Sequence, residues 1–283
     1  MQFLKKIVDF YIFSNIHVAV AGFCITEITV LKYGIQESFT PLFVLFSIII
    51  SYNFIRFYEL KTNRLLWLKD WFFRHKIELV ILNIIAIIAL IGITFFTSFN
   101  IKGLLILIPF SFMTFFYVIP IFKLKNIEIS FRNFPSVKIF SIAFAWAGIS
   151  VFFPIYEAKM NITFDIFIEF IQRFALLIVI IIPFDIRDVK SDSDSLKTLP
   201  QVLGIKVSKI IGMVLLLFTI GLEFCKMIFE TSTIIIWVII ALITAIFLWF
   251  SSENKSRYYA GFWVESIPIY WLILVIYFFD NFK

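Results

Sequence analysis

The chain has 283 residues, of which 61% are hydrophobic, 20% aromatic and only 16% charged, with a formal net charge of +6. Soluble domains carry roughly 25% charged residues, so this composition excludes an ordinary soluble enzyme and points to a protein that lives within a lipid bilayer. Its two cysteines, Cys24 and Cys225, both lie in apolar runs and read as small packing side chains, not as a disulfide or metal framework.

A bilayer span needs about 20 predominantly apolar residues. On that criterion nine spans are predicted, at 11–31, 41–55, 77–98, 103–121, 137–154, 166–184, 207–228, 233–250 and 263–279. Met1-Gln-Phe-Leu-Lys-Lys leads into the first without a small-residue cleavage site, so no cleavable signal peptide is expected. His17 and Asn15 within that span either line a cavity or hydrogen-bond between helices. The second span is short and continues toward Tyr58, which carries Arg56 to the interface. After it, the 56–76 segment mixes Trp67, Trp71, Phe72 and Phe73 with basic residues, the pattern of an amphipathic helix on the membrane surface. In the sixth span Asp165, Glu169 and Arg173 are spaced i, i+4, i+8, which predicts a structural salt bridge. Glu27, Glu223 and Glu265 fall near span ends and are expected to reach interfacial water. The fold expected is an all-α bundle forming one domain over 1–283.

Orientation follows from the basic residues. Of the 25, 19 fall on the side that carries the N-terminus, five on the other and one, Arg173, within a span. Positive residues stay inside, so a multi-pass protein of the cell membrane is expected, with its N-terminus cytoplasmic and its C-terminus outside. The net charge is thereby accounted for without a nucleic-acid partner. The long polar segments 56–76, 122–136 and 185–206 all lie on the inside, where the chemistry is expected.

The densest polarity is Pro183-Phe-Asp-Ile-Arg-Asp-Val-Lys-Ser-Asp192, which begins where the sixth span ends. Asp185, Asp188 and Asp192 are spaced i, i+3, i+7 and fall within an arc of about 60° on a continuing helix. Like charges on one stripe repel unless a cation lies among them. Oxygen ligands suit Mg²⁺, which usually also holds phosphate. Carboxylates near membrane depth are costly and usually functional. Asp194, further into the loop, reads as a cap for the next helix.

Asp185-Ile-Arg-Asp188-Val-Lys-Ser-Asp192, followed by Lys197-Thr-Leu-Pro200 and Gly204, resembles the second aspartate motif of UbiA-type intramembrane prenyltransferases. The resemblance implies a helical bundle around a central cavity, Mg²⁺ on Asp185, Asp188 and Asp192, and transfer of a prenyl group from an isoprenoid diphosphate to a lipophilic, commonly aromatic, acceptor. It implies membrane lipid around the protein, and diphosphate contacts from Asn53, Arg56, Lys61, Tyr117, Lys123 and Arg187. Lys125 and Arg132 are further candidates. The first aspartate motif of the family departs here: Asn53 is kept, while Phe54, Phe57 and Lys61 stand at its three acidic positions. Phenylalanine cannot ligate a metal, so Lys61, Arg56 and Arg64 would have to neutralise phosphate directly on that side. The same departure leaves a second reading open, a catalytically lapsed relative that binds an isoprenoid or lipid phosphate without turnover. A transporter is disfavoured, because no pair of broken helices recurs at matched positions in two halves.

Overall fold

The computed structural model describes residues 2–61, 66–97, 99–119, 122–124, 127–129, 137–191, 196–228 and 230–281. Helices run over Gln2–Phe13 (α1), Ile16–Lys32 (α2), Thr40–Lys61 (α3), Leu66–Arg74 (α4), Lys76–Phe96 (α5) and Ile101–Val118 (α6). They continue with Val137–Glu157 (α7), Phe164–Asp188 (α8), Leu199–Glu223 (α9), Thr231–Trp249 (α10) and Ile267–Asn281 (α11). A π-helical segment, Tyr259–Val264, leads into α11. The exception to the all-α architecture is a small antiparallel hairpin, Phe122–Leu124 (β1) with Ile127–Ile129 (β2).

Each of the nine predicted spans falls on a helix. Among the described residues, seven helical segments are long and apolar enough to cross a membrane, the bent α1–α2 pair makes up to eight, and α6 counts as a shorter apolar helix. The protein is therefore a multi-pass membrane protein. The first span differs from its predicted bounds, because the chain turns by 58° between α1 and α2. Asn15 causes the break by adopting the left-handed conformation, φ 66°, which Asn tolerates better than most residues. Its side chain then donates to Asn53 Oδ1 at 2.8 Å, tying the bend to α3. His17 on α2 contacts the Phe262 carbonyl oxygen at 3.0 Å and the Ser266 hydroxyl at 3.2 Å, so interhelical bonding is its role.

Helix α8 is the centre of the bundle: 78% of its apolar window is buried, against 11% for α5. Between Phe174 and Phe184 it is apolar on every face, as a helix must be when neighbours surround it, and its buried polar residues lie toward the two ends. Small residues Ala143, Ala147 and Gly148 let α7 approach closely, the means by which membrane helices pack without a hydrophobic driving force. A Cβ on Gly148 would stand 2.1 Å from the Phe110 ring of α6. Helix α5 turns Ile81, Ile84, Ile85 and Ile88 outward, toward lipid. The amphipathic segment forms α4, but its apolar face is turned inward: Leu68 and Phe72 are buried with Leu79, beside Phe13 and Leu60.

Helix α9 begins on the Lys197-Thr-Leu-Pro200 sequence. Gln201 Oε1 accepts the Thr198 backbone N–H at 3.0 Å, half of a capping box, and Pro200 occupies the first turn. The helix is then interrupted at Gly204, φ 81° and ψ 157°. A Cβ there would meet nothing within 4 Å, so any penalty is backbone strain alone. Gly204→Ala is expected to cost about 1–3 kcal/mol, read as a lowered thermal midpoint in detergent; an unchanged midpoint would show that the break relaxes freely.

At the end of the bundle opposite Asp185 lies a buried ionic knot. Glu169 accepts from Lys32 at 2.5 Å, Lys226 at 3.0 Å and Arg173 at 3.4 Å. Lys226 also reaches Glu223 at 2.6 Å, and Gln172 Nε2 donates to the same carboxylate at 2.9 Å. Arg173 Nη1 further donates to the carbonyls of Ile25 and Ser150. The expected Glu169–Arg173 bridge is thus present within a larger network. Asp165 does not extend it; its oxygens accept the Met227 and Ile228 N–H groups. The expectation for Glu223 was wrong: at 2% exposure it meets Lys226, not interfacial water. Three cations sharing Glu169 make that burial tolerable, since an unpaired buried charge is prohibitive.

Candidate functional site

The last turn of α8, the first turn of α7 and the last turns of α3 converge. Asp185 is 1% exposed, and its Oδ1 accepts from Lys138 Nζ at 2.9 Å. Lys138 is the second residue of α7, so the ion pair closes the α7–α8 seam at this end. On α8 itself Arg187 grips Asp188 with two parallel bonds, Nε to Oδ1 at 2.8 Å and Nη2 to Oδ2 at 2.7 Å. Such forked, charge-assisted bonds are the strong and directional kind. The guanidinium also stacks over Phe184, 5.3 Å from its ring centroid. Arg56 Nη1 donates to Glu59 Oε2 at 3.3 Å across one turn of α3. Arg56 and Lys138 both lie within electrostatic reach of Asp188, and Glu265, from the π-helical segment's end, feels Arg56 and Arg187. Arg257 completes the set: partial burial, then the like charge of Arg187, lower its pKa, while Asp188 pulls it upward.

Of the residues singled out from sequence, Asp185, Asp188, Arg187 and Arg56 come together here. Asn53 lies one turn from Arg56, buried, with its Oδ1 on Asn15 and its Nδ2 without a hydrogen-bond partner. Lys61 is exposed, on one stripe of α3 with the exposed Phe54 and Phe57. Glu59 is 2% exposed on the far side of that helix, so it does not substitute for the missing acids. Asp192, Asp194, Arg64, Lys125 and Arg132, and the side chains of Tyr117 and Lys123, lie outside the described residues. Sequence reasoning missed Lys138, Glu265 and Arg257 as members of the cluster. Lys138 resembled the many basic anchors at span mouths. Glu265, expected at interfacial water, is half-buried and lies within electrostatic reach of Arg56 and Arg187.

The Mg²⁺ expectation can be tested against the donor set. Among the described residues no group of three His, Cys, Asp or Glu side chains is placed to hold a metal ion. Asp185 already carries Lys138, and Asp188 already carries Arg187. The α3 side offers Phe54 and Phe57 where oxygen ligands would be needed. The described residues, which do not include Asp192, do not by themselves fit a divalent ion as they stand.

A cavity of about 820 Å³ opens at the other end of the bundle, lined by Tyr33, Glu37, Phe39, Phe96 and Glu157 among others. Its described lining contains two carboxylates and no Lys or Arg, so it suits no polyanion.

No protein-family model and no curated protein matches the sequence. Solved structures do match. "Structure of a UbiA homolog from Archaeoglobus fulgidus bound to DMAPP and Mg2+" superposes with a TM-score of 0.62 at 15% identity, over 93% of this chain and 96% of that one. The chain has the UbiA fold. The same homologue bound to GPP and Mg²⁺ gives a TM-score of 0.60 at 15% identity and equal coverage, and its Cd²⁺-bound structure gives 0.53. Near-complete coverage of both chains means that the UbiA bundle is present whole, with Asp185 and Asp188 at the end of its central helix.

Proposed function

We propose that this protein is a membrane prenyltransferase, which binds the diphosphate of an isoprenoid substrate at the α3–α7–α8 cluster and passes the prenyl group to a lipophilic acceptor. The observation that carries the reading is the convergence of Arg56, Lys138 and Arg187 on Asp185 and Asp188 at one end of a UbiA bundle. A homologue of that fold binds DMAPP and GPP with Mg²⁺. The surplus of basic residues at this end of the bundle supports a cytoplasmic orientation for it.

The chemistry follows from charge and shelter. The allylic C–O bond breaks with its electron pair departing on the diphosphate oxygen, and cations fixed around that oxygen lower the barrier. Asp185 and Asp188 act as positioning residues, holding Lys138 and Arg187 on the mouth of the bundle; Asp192 is assigned to the same acidic stripe. One turn deeper than Arg56 on α3 lies Tyr52, whose hydroxyl accepts from Trp146 Nε1 at 3.2 Å, with ring centroids 6.2 Å apart. Aromatic faces at that depth favour an allylic cation. An acceptor carbon then attacks and loses a proton to complete the exchange.

Incubation of the purified protein with labelled geranylgeranyl diphosphate and a panel of quinone precursors is expected to release diphosphate together with an alkylated product. The lapsed-relative reading keeps one observation in its favour, the Phe54–Phe57–Lys61 stripe. Tight binding without turnover across the whole panel would establish it in place of transfer.

A further inference from the structure

We infer that the diphosphate site works without a divalent metal, its charge balanced by side chains alone. This rests on the reading above, that an isoprenoid diphosphate binds here. The described cluster contains four cations, Arg56, Lys138, Arg187 and Arg257, and the carboxylates Asp185, Asp188 and Glu265, with Glu59 paired to Arg56 on the far side of α3. On the described residues it carries no excess of negative charge. A site meant to concentrate Mg²⁺ needs excess negative charge and free oxygen ligands; among the described residues there is no such excess, and both aspartates are already ion-paired. Lys138 occupies Asp185 at 2.9 Å and Arg187 occupies Asp188 through both oxygens. Among the described residues of α3, Phe54 and Phe57 stand where the family's first aspartate motif would supply a second set of ligands.

The same arrangement is well suited to receive the anion itself. Guanidinium groups match phosphate oxygens as forks, and lysine serves as a point charge. When a diphosphate arrives, Lys138 and Arg187 exchange part of their bonding from carboxylate to phosphate over a short reach. Asn53 Nδ2, buried and without a partner one turn from Arg56, is a further donor held in reserve. The aspartates thus change their part: they park and aim the cations in the empty site.

The experiment compares geranyl diphosphate binding by the full chain in EDTA and in millimolar Mg²⁺, with inorganic pyrophosphate as the competitor, and repeats it with Asp185→Asn. The wild-type dissociation constant is expected to differ by less than about threefold between the two media. Asp185→Asn removes a negative charge and releases Lys138, so affinity should hold or tighten by roughly three- to tenfold, the scale of one partly screened charge. Binding that appears only with Mg²⁺ overturns the inference while leaving the proposed function standing. So does an Asp185→Asn protein that folds and has lost affinity tenfold or more. Absence of binding in both media overturns the inference and the proposed function together. The EDTA comparison needs no variant, so misfolding of Asp185→Asn would not blunt it.

Discussion

Glu169→Leu is expected to be the most damaging single substitution in the bundle. It removes the carboxylate shared by Lys32, Arg173 and Lys226, three cations of which Arg173 is fully buried and Lys226 is 9% exposed. The leucine fills part of the space, but the positive charges lose their common partner and repel one another in a medium of low polarity. Breaking a buried ion pair from one side typically costs about 3–5 kcal/mol, and here three pairs break at once. Glu223 still holds Lys226, and the Ile25 and Ser150 carbonyls still hold Arg173, which keeps the loss from being larger. Thermal unfolding in detergent checks it: a midpoint within a degree or two of wild type would mean that the knot contributes little.

Arg187→Met should have the largest effect on the site. The side chain keeps an unbranched apolar stem but loses all its donors and the guanidinium that stacks over Phe184. Asp188 then faces the incoming diphosphate with no counter-charge from its neighbour, so attraction turns to repulsion. Removal of one preorganised donor aimed at developing charge costs roughly 100- to 1,000-fold in rate. Diphosphate release is expected to fall on that scale, with affinity falling beside it. Arg187→Lys restores the charge without the fork and should recover only part of the loss. If Arg187→Met bound and turned over like wild type, the cation cluster would not be the substrate's anchor.

Much of the architecture is legible in the chain because each long apolar run becomes a helix, and a bilayer leaves the backbone few alternatives. The bend at Ser14–Asn15 is not, since apolar residues resume on both sides of that pair and the whole stretch is long enough to read as one span; the left-handed Asn15 and its bond to Asn53 reveal it. Within the site, Asp185, Asp188 and Arg187 stand out because charge is rare near membrane depth. Lys138 does not, because a lysine opening a span has an ordinary explanation as an interface anchor. Its partnership with Asp185 spans 47 residues of sequence, and no local spacing rule reaches that far. Glu223 misleads in the opposite direction: its place at a helix terminus suggests water, whereas Lys226 and Gln172 fold over it.

The shared carboxylate of Glu169 fastens α2, α8 and the α9–α10 connection at one pole of the molecule. If a prenyl chain binds as proposed, room made for it by parting α7 from α8 at the opposite pole would pull on Lys138 and Asp185, so headgroup grip and the space open to the chain would be coupled through that one ion pair.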